Sequence, residues 1–553
     1  MSTFVPTAPR PQEVNVPATD ILTFVFDHLN LLKNDQPIFV DAKIPSKMVS
    51  WYQAYYIVRR LVKGFKEHGL QEGDVVCCHM YNNIWYPLIW LGVIGAGGCV
   101  MGTNPGYTPS EVSRMFQLTK PKFIVAQVHC SKVVLEVTSR TWLTTGHIFL
   151  VDHESDRVPE GCRSWRDLLQ CGEHDWERPV PSQIAVYAMT SGTTGLPKAA
   201  MLSHRSILAQ TATLESEFRA KTYLPRQLIF LPIFHAFAMP LAMLLPLRLG
   251  IPTYFLPRFH LADFTKAVNR FTITDVAIVP SIASSIALIS PSERRRLRSL
   301  RHLISAAASM SARVQNQLYG VLSPNAVVSQ CWGTTEAGWI TLFSWWEKDD
   351  SGSVGRLLPN VRMKVNRSPV SSLFSTEGSP GEGLIHSPSM FSGYLDNVDA
   401  SKAAFDSDGF FRTGDLVYLR AGKVFYTGRM KETIKVKGWQ VSPTEIESIL
   451  SHHPLISDVA VAGMPSENDL GAMDTLIRAY VVRQRPNDLD PQGRPSLTEE
   501  QVEEFVKSRL ISYKQLTGGV VFVTKIPRSN TGKILRALLE KAEIDMEVTK
   551  VKA

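Results

Sequence analysis

Thr190-Ser191-Gly192-Thr193-Thr194-Gly195-Leu196-Pro197-Lys198 decides how this chain is read. It follows an apolar run, Ile184-Ala185-Val186-Tyr187-Ala188-Met189, that predicts a strand. Hydroxyls and glycines then alternate, and a lysine closes the segment. Glycine lets the backbone turn sharply and approach a ligand closely. Successive N–H groups can then converge on an anion, with hydroxyl donors and one positive charge beside them. That composition suits a polyphosphate. The spacing is not G-x-x-x-x-G-K-[ST], so this is not the Walker A loop. In isolation the string reads first as a solvated Gly/Ser/Thr turn; the segments downstream reverse that order.

At 553 residues the chain exceeds one ordinary core, so two or more domains are expected. With 44% hydrophobic and 20% charged residues it is globular rather than disordered. The formal net charge of +8 is spread along the chain, apart from the short run Glu293-Arg294-Arg295-Arg296, which reads as a solvated face. There is no zinc-finger spacing and no basic arm, so a nucleic-acid partner is not expected. The mild basicity is compatible with anionic substrates. Seven cysteines, none in C-x-x-C spacing, argue against a disulfide framework or a zinc site. No basic n-region with an apolar h-region opens the chain. The apolar stretches Leu88–Met101 and Ala236–Leu247 are too short to span a bilayer and read as core. The last residues, Val551-Lys552-Ala553, are not the peroxisomal S-K-L. The expected location is cytoplasmic.

Taken in order, residues 1–20 predict an extended lead-in and Ile21–Asn34 a helix. Tyr52–His68 is an amphipathic helix with Gly69 just past its end. Short apolar strands at Val75–His79, Phe123–Gln127, His147–Val151, Leu228–Pro232, Thr274–Val279 and His302–Ala306 alternate with helical stretches. That alternation predicts a mainly parallel, layered α/β sheet. The opening loop leads to a helix capped by Ser203. Gly- and Pro-punctuated strands follow Ser344, among them a hairpin of Val417–Leu419 and Val424–Tyr426. Beyond Gly428-Arg429-Met430-Lys431 lies a compact α+β segment of about 120 residues, large enough to fold semi-independently.

Seven segments stand in order: Thr190–Lys198, Pro232-Ile233-Phe234-His235, Gln330–Glu336, Thr413-Gly414-Asp415, Gly428-Arg429, Lys435-Val436-Lys437-Gly438-Trp439-Gln440-Val441, and Ser529-Asn530-Thr531-Gly532-Lys533-Ile534-Leu535-Arg536. Together they resemble the adenylate-forming, AMP-binding superfamily over residues 35–540. Within it the chain is similar to 4-coumarate–CoA ligases and fungal acyl-CoA ligases, on the Lys-x-Lys-Gly-aromatic-Gln-Val run followed by Pro443-x-Glu445. The resemblance implies an N-terminal AMP-binding domain over 1–429 with a small β-barrel-like subdomain, and a mobile α+β C-terminal domain over 430–553.

The reaction it implies has two halves, with fungal-type secondary metabolism as the implied setting. A carboxylate attacks the α-phosphorus of ATP, giving an acyl-adenylate and pyrophosphate; the thiol of CoA then displaces AMP to give a thioester. On that resemblance Thr190, Ser191, Gly192, Thr193, Thr194, Gly195 and Lys198 hold the β- and γ-phosphates. Gln330 and Cys331 lead into Trp332, the adenine-stacking position, and Thr335 meets the α-phosphate. Glu336 helps bind Mg²⁺, a hard cation that takes oxygen ligands beside substrate phosphates. Read alone, Thr335-Glu336 is first a helix start with an early acidic group. Asp415 accepts from the ribose hydroxyls, as two carboxylate oxygens can, and Arg429 adds a charged donor.

Lys533 serves adenylation. Lys431 is the hinge about which the C-terminal domain turns, replacing Lys533 with Lys435 and Gln440, while Lys437, Gly438 and Arg258 meet CoA. His235 stands at the entrance of an acyl pocket containing Met239, Met243, Ala307 and Gly338. Methionine at 239 and 243, where coumarate enzymes tend to a tyrosine and a serine, points to an aliphatic or less polar aryl acid. The alternative acceptor is a carrier-protein phosphopantetheine; an oxygenase and a catalytically silent nucleotide binder are the other rivals. No carrier domain is visible in the chain.

Overall fold

The computed structural model describes residues 13–26, 35–151, 157–191, 197–308, 310–366, 379–436, 439–465, 475–484, 497–510, 512–529 and 532–539. Two seven-stranded sheets dominate it. One has the order Arg163–Ser164, Ile148–Val151, Phe123–Gln127, Val75–His79, Cys99–Gly102, Ile184–Ser191, Pro197–Ser203. All neighbours in it are parallel except the last pair. The other runs Val327–Gln330, His302–Ser305, Asp275–Ile278, Gln227–Ile229, Thr253–Phe255, Pro37–Asp41, Met48–Ser50, again parallel but for its last pair. Val75–His79 is buried at every position, as a parallel strand covered on both faces must be.

Helices cover these sheets, and their starts are written locally. The Ser50 hydroxyl accepts from Gln53 N while the Gln53 side chain accepts from Ser50 N, a capping box that opens Trp51–Glu67. The face bearing Ala54, Val58, Leu61, Val62 and Phe65 then packs on Tyr86–Gly95, a helix buried on all sides. Each such large apolar side chain contributes about 1.5–3 kcal/mol by leaving water. Ser203 caps His204–Arg219, as expected. Of the helix predicted over Ile21–Asn34, Ile21–Phe26 is described.

Two local readings are corrected. The opening loop does not pass straight into a helix: Pro197–Ser203 is a strand antiparallel to Ile184–Ser191, with Thr190 opposite Lys198. Its run of Ala199, Ala200, Met201 and Leu202 lacks the alternation that marks a strand, because it is covered on both sides. Thr335 and Glu336 do not begin a helix; they lie in the short loop joining Gly333–Thr334 to Gly338–Trp339. The apolar stretch after His235 is core, as expected. A π-helical turn, Pro240–Leu244, precedes the α-helix Leu245–Leu249.

A four-stranded antiparallel sheet follows, Arg362–Asn366, Gly381–His386, Phe411–Arg420 and Lys423–Arg429. Hydrogen bonds between Val424 and the Val354–Gly355 backbone carry it round into the ribbon Thr341–Leu342/Arg356–Leu357, which gives its barrel-like curl. The last part has the sheet Ile456–Pro465, Thr475–Arg483, Val520–Phe522 and the helices Pro443–Leu450 and Glu499–Lys507. Its apolar cluster, centred on Val441, Ile446, Leu450, Val461 and Ile477, is separate from the large cluster running from Ile21 to Val424. All seven cysteines are free, as expected. No helix among the described residues is long and apolar enough to cross a membrane.

Candidate active site

Ser191, Ser305 and Gln330 end their strands, and Pro232–His235 follows shortly after another, so the motifs collect at the carboxyl edges of the two sheets. That edge is where an open α/β sheet presents ligand-binding loops. Gly192, Thr193, Thr194, Gly195, Lys437 and Gly438 lie outside the described residues, as do the side chains of Ser191, Lys435 and Gln440.

Asp415 is the buried charge at the centre. Between the pairs Leu384–Arg412 and Glu382–Leu416, three residues, Thr413, Gly414 and Asp415, face the single residue Gly383. This bulge needs Gly414 at φ +66°, and it re-aims the strand so that Asp415 points inward. Asp415 is 2% exposed. Its Oδ2 accepts from Trp332 Nε1 at 2.9 Å. Its Oδ1 stands 3.1 Å from Arg429 Nε, directly across the register, without a well-aimed hydrogen bond. Burial pushes its carboxyl up; Arg429, the indole N–H and Lys533 oppose that. Asp415 therefore holds one oriented oxygen and one oxygen still lacking a directed donor. Trp332, 5% exposed, is fastened edge-on to the carboxylate.

Glu336 accepts from the Tyr394 hydroxyl at 2.9 Å, and the Lys198 ammonium lies over the Tyr394 ring at 4.8 Å. Tyr394 was not singled out in the sequence; only the Phe391-Ser392-Gly393-Tyr394 punctuation hinted at it. Backbone bonds between 392–395 and Ala199–Met201 hold it beside Lys198. Among the described residues no group of three or more His, Cys, Asp or Glu is placed to hold a metal. Gln330 is buried, and its carboxamide bonds the Met310 backbone and Gln315. Burial pushes the Cys331 thiol up.

Lys533 reaches this site from the C-terminal part. Its side chain is exposed, yet desolvation and Arg429 lower its pKa, while Asp415, Glu336 and Glu432 raise it. Gly532 lies against the N-terminal part, where an added Cβ would stand 3.4 Å from Ser281 Oγ. The Lys533 charge also reaches His235, whose pKa falls to about 4, chiefly through burial. Its ring packs on Phe234, centroids 4.8 Å apart. Met239 and Met243 are buried just beyond. Ala307 is exposed at φ +73°, a left-handed conformation uncommon outside glycine.

Gly338, at φ +70°, faces Gln210: an added Cβ would stand 2.4 Å from Gln210 Oε1. Gln210 is 8% exposed, and its Nε2 has no hydrogen-bond partner among the described residues. Nothing local in the sequence marks it. Thr335 lies at its hairpin tip beside Glu336.

The structure does not bring every expected residue to this point. Lys435 lies opposite Gln440 in the hairpin Ile434–Val436/Trp439–Val441, which packs on the C-terminal sheet. Lys431 follows Arg429 in an exposed 3₁₀ turn, Met430–Glu432. Arg258 lines a separate cavity of about 550 Å³ with Lys43, Tyr81, His129, His260 and Asp263.

The model of AMP-binding enzymes matches residues 30–395, and that of the AMP-binding enzyme C-terminal domain matches 445–533. The chain is 38% identical to the phenylacetyl-CoA ligase epaB of Aspergillus niger, covering 95% of this chain and 97% of that one. It is 37% identical to the acyl-CoA ligase azaF of the same species, covering 95% and 98%. Among solved structures, ATP-bound MatB from Rhodopseudomonas palustris superposes with a TM-score of 0.80 at 24% identity, covering 95% of this chain and 99% of that one. The anthranilate CoA ligase AuaEII in complex with anthranoyl-AMP gives 0.82 at 18% identity, covering 96% and 99%. These two share the fold. With both family models matched in order along one chain, the protein belongs to the AMP-binding, adenylate-forming enzyme family.

Proposed function

We propose that the protein is an AMP-forming acyl-CoA ligase: it activates a carboxylic acid with ATP as an acyl-adenylate, then transfers the acyl group to CoA. The convergence of Lys533 from one core with Asp415, Glu336 and His235 from the other carries this reading. Here the N-terminal domain is 1–429, the C-terminal domain is 430–553, and Lys431 is the pivot.

In the first half-reaction, a carboxylate oxygen bonds to the α-phosphorus, and the bond to pyrophosphate breaks with its electron pair. Asp415 Oδ1 takes the ribose hydroxyl donors it lacks, and Trp332 keeps the other oxygen in place. Lys533 sets positive charge against the carboxylate and the α-phosphate. At about 4 Å, one such charge pair interacts by about 4 kcal/mol at an effective dielectric of 20. His235, neutral at pH 7, adds no competing charge. Glu336, oriented by Tyr394, and substrate phosphates suit Mg²⁺, which needs one or two carboxylates rather than a protein cage. When bound it neutralises phosphate charge. Lys198 and the residues of the opening loop meet the β- and γ-phosphates.

In the second half-reaction the C-terminal domain turns, and Lys435 and Gln440, paired across one hairpin, take the place of Lys533. The cavity beside Arg258 supports CoA as the acceptor. It offers cations for phosphates and a stacked Tyr81–His129 pair, 5.9 Å apart and 6° from parallel, for a purine face. The apolar Met239–Met243 surroundings and the relative named for phenylacetate favour an arylacetic or aliphatic acid.

The test is an acid panel led by phenylacetate, incubated with ATP with and without CoA and read by mass spectrometry. Acyl-CoA with AMP is the expected product, and absence of AMP from every acid sinks the reading. AMP without acyl-CoA points instead to a carrier-protein acceptor. Lys533→Ala should cripple adenylation to a small residual rate and largely spare thioesterification of supplied acyl-adenylate; Lys435→Ala should do the reverse.

A further inference from the structure

Arg313 sits on the helix Ala312–Tyr319, outside every motif. Its Nη1 donates to three backbone carbonyls of the C-terminal part: Ser451 O at 3.2 Å, His453 O at 2.7 Å and Ile456 O at 3.2 Å. These carbonyls follow the end of the helix Pro443–Leu450 and the turn into Ile456–Pro465. The carboxyl end of a helix leaves carbonyls unpaired and carries partial negative charge, so a guanidinium is suited to it in both respects. Hydrogen bonds from a charged donor are the stronger class.

The platform under Arg313 is rigid. Two residues on, Gln315 donates to Val328 O and accepts from Gln330 Nε2, tying the helix to the strand that enters Cys331-Trp332. The same helix packs against Pro280–Ala287, whose first turn carries Ser281. Ser281 and Val279 are where Gly532 touches the N-terminal part, one residue before Lys533. Two neighbouring helices thus receive both the end of Pro443–Leu450 and the Lys533 loop.

We propose that Arg313 is a positioning residue of the first half-reaction: it docks the C-terminal domain in the orientation that brings Lys533 to Asp415 and the nucleotide. The proposal rests on the two-step reading above. The Arg313 contact joins the two parts, so it has to break when the C-terminal domain turns for the second step. Arg313 therefore acts on adenylation and not on transfer to CoA.

Single-turnover acyl-adenylate formation and thioesterification of supplied acyl-adenylate are measured separately for wild type, Arg313→Ala and Arg313→Lys, with the thermal midpoint of each. Loss of a charged hydrogen-bonding donor should slow adenylation by at least about tenfold in Arg313→Ala, with thioesterification within about twofold of wild type. Arg313→Lys, which keeps a charged donor, should recover part of the rate. Because Arg313 acts through Lys533, adding Arg313→Ala to Lys533→Ala should cost little more. Equal loss in both half-reactions, no loss in the first, or full additivity with Lys533→Ala would overturn the proposal. Wild-type enzyme that makes no acyl-adenylate from any acid would instead overturn the two-step reading, so the two failures are distinct.

Discussion

Gly414 and Gly338 hold nearly the same left-handed backbone, at φ +66° and +70°, in different surroundings. A Cβ on Gly414 would meet nothing within 4 Å, whereas one on Gly338 would run into the Gln210 carboxamide. Alanine at either position costs about 1–2 kcal/mol from the backbone alone. The carboxamide is the flexible end of its side chain, so the clash at Gly338 is relieved by displacing Gln210 rather than the hairpin. The two substitutions should therefore cost similar stability but divide in function. Gly414→Ala moves Asp415 and should raise KM for ATP; Gly338→Ala pushes Gln210 and should raise KM for the acid. Denaturation curves and KM for each substrate check this, and matched KM effects would show that the two glycines serve one site. Tyr394 offers a second comparison. Tyr394→Phe keeps the ring under Lys198 and deletes the hydroxyl on Glu336. A hydrogen bond to a charged group is worth about 1.5–3 kcal/mol, so kcat/KM for ATP should fall by about tenfold or more, with a higher Mg²⁺ concentration needed for half-maximal rate. An unchanged Mg²⁺ dependence would detach Tyr394 from Glu336.

The Lys533 loop is an element held by its own fittings. Ser529 N donates to Lys533 O at 2.8 Å and Lys533 N to Ser529 Oγ at 3.2 Å, and Arg528 joins them by donating from Nη1 to Gly532 O at 2.9 Å and from Nη2 to Asp458 Oδ1 at 2.8 Å. Asp458 is thus the anchor of the loop on the sheet behind it. Asp458→Ala should lower the adenylation rate several-fold with little change in KM for the acid and none in thioesterification, measured as separate half-reactions. A change confined to KM would place the loop's role in binding. Such fittings also show what sequence can reveal. The loop's chemistry was legible, because Ser529–Arg536 is contiguous; Asp458, 70 residues away from Arg528, was not. The same division runs through the site. Asp415, Glu336 and Lys533 stood out as motif residues. The bond of Asp415 to Trp332 and the apposition of Gln210 to Gly338 depend on pairings across 83 and 128 residues, which no local pattern encodes. Strands with isolated apolar runs, such as Phe123–Gln127, were read at their observed bounds. Pro197–Ser203 was missed because its character comes from neighbours on both sides.

At the scale of the molecule, two sheets of one design, each six strands in parallel order with an antiparallel edge, bury histidines in their neutral form. His79 is fully buried, with Nδ1 beside the Thr103 hydroxyl at 2.8 Å and Nε2 without a partner among the described residues. His204, 2% exposed, accepts at Nδ1 from Ile21 N at 3.2 Å, and a protonated ring would turn that acceptor into a donor facing a donor. Burial lowers both pKa values to about 4, and lowers that of His302 as well. Unfolded, each ring titrates near 6.5. Between those values the unfolded chain binds more protons than the folded one, so stability rises with pH there. The contribution is therefore complete above about pH 6.5 and is lost as pH falls toward 4, at up to about 1.4 kcal/mol per pH unit for each ring. Calorimetric unfolding should show a midpoint that is flat near pH 7 to 8 and falls steeply from about 6.5 to 4.5. Paired carboxylates lose their stabilisation on the same acid side, so a variant has to separate the two sources. Gln at position 204 offers an acceptor to Ile21 N but cannot titrate. His204→Gln should therefore flatten the descent by about one ring's share, while a descent as steep as wild type would assign the acid sensitivity to the carboxylates.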